Sequence, residues 1–294
     1  QPNTSLVLAA NKVTGSLFAT TQGGTSTTDT ITLGAQTLSG SLDLRADGAI
    51  NLTGALSATS AAFSGSSISA TGSITANTFN LNSGTWTQVS ATLPGLTVSD
   101  FRLAAGTTFI RALGGDGGAA TPYQLADIYG VQGMGSTGML GQYYVLANDI
   151  DAAATSAWNS GAGFVPVGSD SARFAGQFDG QGHTIAALTI NRPSQPFVGL
   201  FGGTGSGSML RNLGLAGGNV SGNQWVGGLV GVHYGSIEGA YSAANVSGGP
   251  NYVGGLVGSN APGSSINNSY ASGNVSGSDS VGGLLGYSNG GGIN

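Results

Sequence analysis

The chain is predicted to be an all-β, parallel solenoid. Three features of its 294 residues lead there: a phrase that returns at a fixed interval, short β-prone runs within each interval, and a glycine-rich, charge-poor composition. The phrase is Val198-Gly199-Leu200-Phe201-Gly202. It returns as Val226-Gly227-Gly228-Leu229-Val230-Gly231, Val253-Gly254-Gly255-Leu256-Val257-Gly258 and Val281-Gly282-Gly283-Leu284-Leu285-Gly286, with Leu200, Leu229, Leu256 and Leu284 spaced 29, 27 and 28 residues apart. A second phrase keeps the same interval: Asn219-Val220-Ser221-Gly222, Asn245-Val246-Ser247-Gly248 and Asn274-Val275-Ser276-Gly277. Self-similarity at this period marks a stacked repeat.

The kind of repeat follows from what lies inside each interval. Tyr252 to Val257 and Ile266 to Tyr270 are short apolar runs separated by Gly, Ser, Asn and Pro. No run is long enough for a helix, and the punctuation is turn chemistry. Propeller blades need about 40 or more residues for their four strands, so one coil of a parallel solenoid fits better. A coil by itself buries too little apolar surface to offset the ordering of its backbone. Stability then belongs to the column, in which each coil supplies its neighbour with hydrogen bonds and a continuous core.

Composition restricts function as well as fold. Fifty-five glycines, 6% charged residues, no cysteine and a net charge of -5 leave little material for acid, base and metal chemistry. With no basic cluster, nucleic acid is excluded as an expected partner. No apolar run approaches the ~18 residues of a membrane span, so insertion into a membrane is not expected. The absence of cysteine carries little compartment information.

Taken in order, three segments are predicted. Residues 1–85 are Ser/Thr/Gly-rich coils, in which Thr30-Ile31-Thr32-Leu33, Ser41-Leu42-Asp43-Leu44, Ala49-Ile50-Asn51-Leu52, Ser67-Ile68-Ser69-Ala70 and Thr78-Phe79-Asn80-Leu81 place an apolar residue at every second position. That is a strand with one face inward; low-complexity disorder is the alternative. Residues 86–170 gather aromatic and charged side chains, among them Trp86, Phe101, Arg102, Phe109, Arg111, Tyr123, Tyr129, Tyr143, Tyr144 and Trp158. Within them Leu125, Ile128 and Tyr129 stand at i, i+3 and i+4 after Pro122, which predicts a short helix starting at the proline. Tyr143 to Leu146 then reads as a strand. This segment is expected to be an insertion or cap packed on the solenoid, its aromatics mainly core. Residues 171–294 begin with an Asp179-Gly180, Gln181-Gly182 turn and a strand from Thr184 to Ile190, and continue as the repeats.

The order of Pro122-Tyr123-Gln124-Leu125, Asn148-Asp149-Ile150, Trp158, Phe178-Asp179-Gly180-Gln181-Gly182-His183-Thr184-Ile185 and the four leucine phrases resembles the GLUG-motif region of large bacterial surface proteins of the filamentous haemagglutinin type. The resemblance covers about residues 86–294, and the first 85 look like the generic coils of the same adhesins. It implies a right-handed parallel β-helix, export by a two-partner (type V) route through an outer-membrane secretion partner, and attachment to cells, surfaces or biofilm. Such proteins usually open with a secretion domain carrying an Asn-Pro-Asn-Gly signature, which Gln1-Pro2-Asn3-Thr4 is not. The expectation is a removed secretion domain, an internal segment or a different export route.

Candidate chemistry is sparse, and no catalytic residue, cofactor or metal is expected. Asp179 and His183 would be the acid-base pair of a polysaccharide lyase or hydrolase on a β-helix, but their four-residue spacing spans a glycine turn, and a structural turn is the favoured reading. His233, at the position of Asn260 and Ser288 in later coils, is expected to be an exposed turn residue. Gly114-Gly115-Asp116-Gly117-Gly118 resembles one unit of a calcium nonapeptide repeat, which acts only in tandem, and Asp149 and Asp151 offer too few oxygens to specify Ca²⁺. Asn219, Asn245 and Asn274 head Asn-Val-Ser sequons, and Asn3, Asn51 and Asn267 also fit that pattern, so glycosylation is open. The favoured reading is a ladder of stacked amides along the column. Gly292-Ile293-Asn294 matches Ser265-Ile266-Asn267, which places the last residue inside a repeat. The expectation is that the natural chain continues, or that another copy stacks end to end and builds a filament.

The functional expectation is a secreted or cell-surface β-helical adhesin or fibre protein, non-catalytic. Its partners would be host or matrix glycans or proteins, or copies of itself. The alternative class is a carbohydrate-active β-helix enzyme, which would need acidic and basic side chains to converge on one face.

Overall fold

A computed structural model describes residues 5–21 and 28–294; Asn3 lies outside them. Nearly all strand pairing is parallel, in stacked sheets, and the described residues contain one short α-helix and one 3-10 segment. The fold is a β-solenoid in two compact units, Gln1–Ala112 and Leu113–Asn294.

In the first unit each coil contributes three strands, and equivalent residues lie over one another. One inward column runs Ile31, Ile50, Ile68, Trp86, Phe109. A second runs Leu42, Ala61, Phe79, Phe101. All nine are at most 1% exposed. Alternation makes this possible, because Thr, Ser and Asn take the outward positions between apolar ones. Ala61 sits beside Phe63 and beneath Phe79, so small and large side chains together fill the space. Phe63, Phe79, Trp86, Phe101 and Phe109 form one cluster with ring centroids 5.1 to 6.3 Å apart. The expected strands appear as Thr30–Leu33, Ser41–Arg45 and Ala49–Leu52, with residues 67–70 and 78–81 inside the longer strands Leu56–Ala70 and Ile74–Val89.

The aromatic stretch expected as one segment from 86 to 170 is therefore divided. Trp86, Phe101 and Phe109 continue the inward columns of the first unit, and the division between units falls after Ala112. Aromatic density marked a thickening core there, not a change of fold.

The second unit uses larger coils. A seven-stranded parallel sheet runs through Tyr123–Leu125, Tyr143–Leu146, Gln177–Asp179, Met209–Arg211, Ser236–Glu238, Ser265–Asn267 and Gly292–Ile293. A second sheet contains Thr184–Asn191 and Gly214–Ser221, and a four-stranded sheet stacks Phe201–Gly203, Val230–His233, Val257–Asn260 and Leu285–Ser288.

The helix differs from expectation. Tyr123–Leu125 is a strand paired with Tyr144–Leu146, and the helix is Ile128–Gly133. Strand pairing claims the residues after Pro122. The helix begins at Asp127, whose side chain accepts from the Gly130 N–H at 3.0 Å and so satisfies a free donor of the first turn. Leu125, Ile128 and Tyr129 are all buried, and Tyr129 stacks on the fully buried Trp158 at 5.2 Å.

The repeated phrase makes the corner and the core at once. Leu229, Leu256 and Leu284 are joined through successive coils by N–H to carbonyl bonds of 2.9 Å, and Leu200, Leu229 and Leu256 are fully buried. Val198, Val226, Val253 and Val281 pair in register beside them. Glycine is required next: a Cβ at Gly254 would overlap the Val257 carbonyl, and one at Gly227 the Val230 carbonyl.

Candidate functional site

The Asn-Val-Ser phrases bring one outward column together. Asn219, Asn245 and Asn274 are exposed and stacked. Asn245 Nδ2 donates to Asn219 Oδ1 at 3.3 Å, and Asn274 Nδ2 donates to Asn245 Oδ1 at 3.2 Å. The intervening Val220 and Val246 are buried, so the strand's alternation points each amide outward. Each carboxamide has two donors and two acceptor sites; the ladder uses part of this capacity and the rest meets solvent. Two other sequon asparagines also act along columns. Asn294 Nδ2 donates to Asn267 Oδ1 at 3.0 Å, and Ser69 Oγ to Asn51 Oδ1 at 3.1 Å.

Asp179 and His183 do not meet. Asp179 Oδ1 accepts from the Gln181 N–H at 2.8 Å and from Asn212 Nδ2 at 3.1 Å, while Oδ2 accepts from Arg211 Nε at 2.9 Å. It locks its own turn, in which Gln181 has φ +53° and Gly182 φ +84°. His183 instead approaches Asp149, Nδ1 to Oδ1 3.3 Å. The Thr184 N–H donates to the same oxygen at 2.8 Å and, with His183, holds the Asp149 carboxyl below the usual range. Asp149 is 72% exposed, so this pair is a surface contact. Asp151 accepts from the Ala153 N–H, and Asp116 from the Gly118 N–H and the Thr121 hydroxyl. Among the described residues no three His, Cys, Asp or Glu side chains come close enough to hold a metal ion.

His233 corrects the sequence reading. Its register with Asn260 and Ser288 is as counted, but it is 0% exposed. Nδ1 lies 2.7 Å from Thr204 Oγ1 and Nε2 3.3 Å from the Ser265 carbonyl oxygen. Burial pushes its pKa down to about 4, so the ring is neutral at pH 7. Turn chemistry around His233 suggested exposure. The strand Val230–His233, however, is a central member of its sheet, and all four of its residues are buried.

Sequence reasoning also missed a half-exposed aromatic ladder at the corner that precedes each valine. Phe197, Trp225 and Tyr252 stack at centroid separations of 4.7 and 6.1 Å, and Tyr287 covers Tyr252 at 4.5 Å. Phe197, Trp225, Tyr252 and Ser280 all have positive φ, between 49° and 59°. A non-glycine residue there costs about 1 to 2 kcal/mol, which stacking of the rings offsets. Where serine replaces the corner aromatic at 280, Tyr287 from the following strand supplies the ring. The signal was legible: an aromatic stands immediately before Val198, Val226 and Val253.

The class these features define is a parallel β-solenoid, and the GLUG motif matches residues 249–276. Halomucin of Haloquadratum walsbyi is 34% identical over 182 residues, 60% of this chain and 2% of that protein. A putative Gly-rich membrane protein of Evansella cellulosilytica is 34% identical over 128 residues, 42% of this chain and 15% of that protein. The chain therefore spans a small fraction of the relatives it matches. No solved structure matches it.

Proposed function

We propose that this chain is a stretch of a secreted or cell-surface β-helical protein that mediates attachment or builds an extracellular fibre, without catalysing a reaction. The observation that carries the reading is the stacking of coils within each unit, with outward side chains aligned in columns such as Asn219, Asn245 and Asn274. In such a column each coil is stabilised by its neighbours and outward groups recur from coil to coil. The relatives support an envelope or surface location, one of them by its name as a membrane protein. Host or matrix glycans, proteins or sister copies are the partners that fit, and in the finer form of the reading the chain leaves the cell through an outer-membrane secretion partner, as filamentous haemagglutinin-type proteins do.

A lyase or hydrolase has less support, because Asp179 and His183 are engaged separately, in a turn lock and a surface contact. Labelling of intact source cells with antibodies to this chain tests the proposal. Label on the outer surface, together with loss of attachment or of fibres when the coils are deleted, is the expected result. Label confined to the cell interior, or polysaccharide turnover abolished by Asp179→Asn or His183→Ala, would overturn it.

A further inference from the structure

The first unit carries an outward array that the reading above does not use. Thr37, Ser57, Thr75 and Thr97 lie directly over one another in four successive coils. Ser39, just past the strand Gln36–Leu38, and Thr59, Asn77 and Ser99, two residues further along the other three strands, form a second and less regular outward row. All eight are exposed, and the residues between them, Leu38, Ala58, Ala76 and Val98, are buried. The second column is anchored by the protein itself: Thr59 Oγ1 donates to the Ser39 carbonyl at 3.1 Å, and Ser39 Oγ accepts from the Gly15 N–H at 2.8 Å. Among the described residues, the four hydroxyls of the first column make no hydrogen bond within the protein, so their donors and acceptors are directed to whatever lies outside.

The other outward faces of this unit differ. One carries the Asp43–Arg45 and Asp100–Arg102 ion pairs, with Arg45 over the exposed Phe18 ring. Another is interrupted by Ala49 and Ile110 and closes Asn51 onto Ser69. Among the described residues, the four coils from Thr37 to Ser99 give an outward face that is uncharged, free of rings and in register along its first column, with Lys12, paired to Thr37, at its edge.

That regularity has a scale. Adjacent parallel strands are about 4.8 Å apart and residues two positions apart about 6.6 Å, and stacking in register keeps such a sheet flat where an open sheet would twist. A flat mesh of this kind has no hollow to enclose a soluble molecule. It suits a partner that is flat, uncharged and periodic on the same scale. The prism and basal planes of hexagonal ice expose water oxygens in such a mesh, each able to donate to and accept from a hydroxyl.

The geometry points to an ice-binding face formed by Thr37, Ser39, Ser57, Thr59, Thr75, Asn77, Thr97 and Ser99. The side chains hold first-layer water near lattice positions, and the crystal grows onto that layer. A long, charged or bulky side chain in the middle of the mesh would break the match.

The full chain, fluorescently labelled, is mixed with an ice hemisphere grown slowly from solution, and ice recrystallisation is followed in parallel. The wild-type chain is expected to enrich several-fold in the ice fraction relative to a labelled albumin and to keep crystals small. Thr59→Tyr and Thr75→Tyr, at the centre of the mesh, are expected to lose most of that enrichment. Thr87→Tyr, on a different outward column, is expected to retain it. Melting curves check folding, and Thr75→Val, which keeps the shape and removes the hydroxyl, serves if the tyrosine variants do not fold. Wild-type chain left in the liquid, or Thr59→Tyr partitioning like wild type, would overturn the assignment. So would retention on crystalline cellulose or chitin without enrichment in ice, which would reassign the face to a polysaccharide lattice.

Discussion

The two units build the same kind of column from coils of different size. In the first, Asn51, Ser69 and Thr87 stack at an interval of 18 residues; in the second, the leucines recur every 27 to 29. The short coil gives almost its whole interior to apolar side chains, ending in the cluster around Phe79 and Trp86. At its Gln88 and Arg111 level the interior turns polar, with Arg111 Nη1 donating to Gln88 Oε1 at 2.7 Å. The long coil uses its additional residues for a glycine corner and a buried polar column, Thr204, His233 and Asn260, each 0% exposed. The wider coil thus carries more internal polarity: His233 is held between Thr204 and the Ser265 carbonyl of neighbouring coils, while Asn260 Nδ2 is left without a partner among the described residues.

The largest test of that contrast removes packing from one unit. Leu256→Ala takes away a fully buried side chain between Leu229 and Leu284 and is expected to destabilise the second unit by about 2 to 5 kcal/mol. Melting followed by the aromatic signal of each unit should show the transition of Leu113–Asn294 falling and that of the first 112 residues unmoved. A uniform fall of both would mean that the units do not unfold independently.

Next comes acid. His233 is held neutral in the fold, with its pKa lowered from the ordinary 6.5 to about 4 by burial. Between those values the unfolded chain binds the proton and the folded one does not, so stability rises with pH. The contribution is complete above pH 6.5 and is lost as pH falls toward 4. Each tenfold difference in proton affinity between the folded and unfolded chain is worth about 1.4 kcal/mol, so the whole loss is roughly 3 kcal/mol. His233→Asn, which installs the residue found in the next coil at Asn260, should flatten this dependence. Both histidines, His183 and His233, lie in the second unit, so the first should show no change between pH 7 and 5. Denaturant titrations at stepped pH read both outcomes.

These contrasts also mark how far the sequence was legible. Period and alternation were written in residue order, because stacking demands the same residue at the same level: the leucine phrases and the strands Thr30–Leu33 and Ala49–Leu52 lay where the pattern put them. The readings that failed were decided by contacts between coils. The residues after Pro122 have a helical spacing, and only the availability of Tyr143–Leu146 as a partner made Tyr123–Leu125 a strand. His233 stood among turn residues, and its burial came from Thr204 and Ser265 in neighbouring coils. His183 was weighed against Asp179, four residues away, but met Asp149, thirty-four residues back and one coil away.

The smallest effect compares the outward ladders. Asn245→Ala removes the rung that donates to Asn219 and accepts from Asn274, and leaves both neighbours open to water. With net values of about 0.5 to 1.5 kcal/mol per hydrogen bond, and solvent ready to replace the lost partners, a cost of about 1 kcal/mol is expected. Ser69→Ala in the first unit breaks the single bond to Asn51 and should cost less, about 0.5 kcal/mol. Asn245→Asp sharpens the comparison, because the carboxylate can still accept but can no longer donate to Asn219. Its melting temperature should fall at pH 7 and recover toward that of the wild type once the carboxyl is protonated. If Asn245→Asp were as stable as the wild type at pH 7, the amides would be stacking by backbone register alone, and the ladder bonds would contribute nothing.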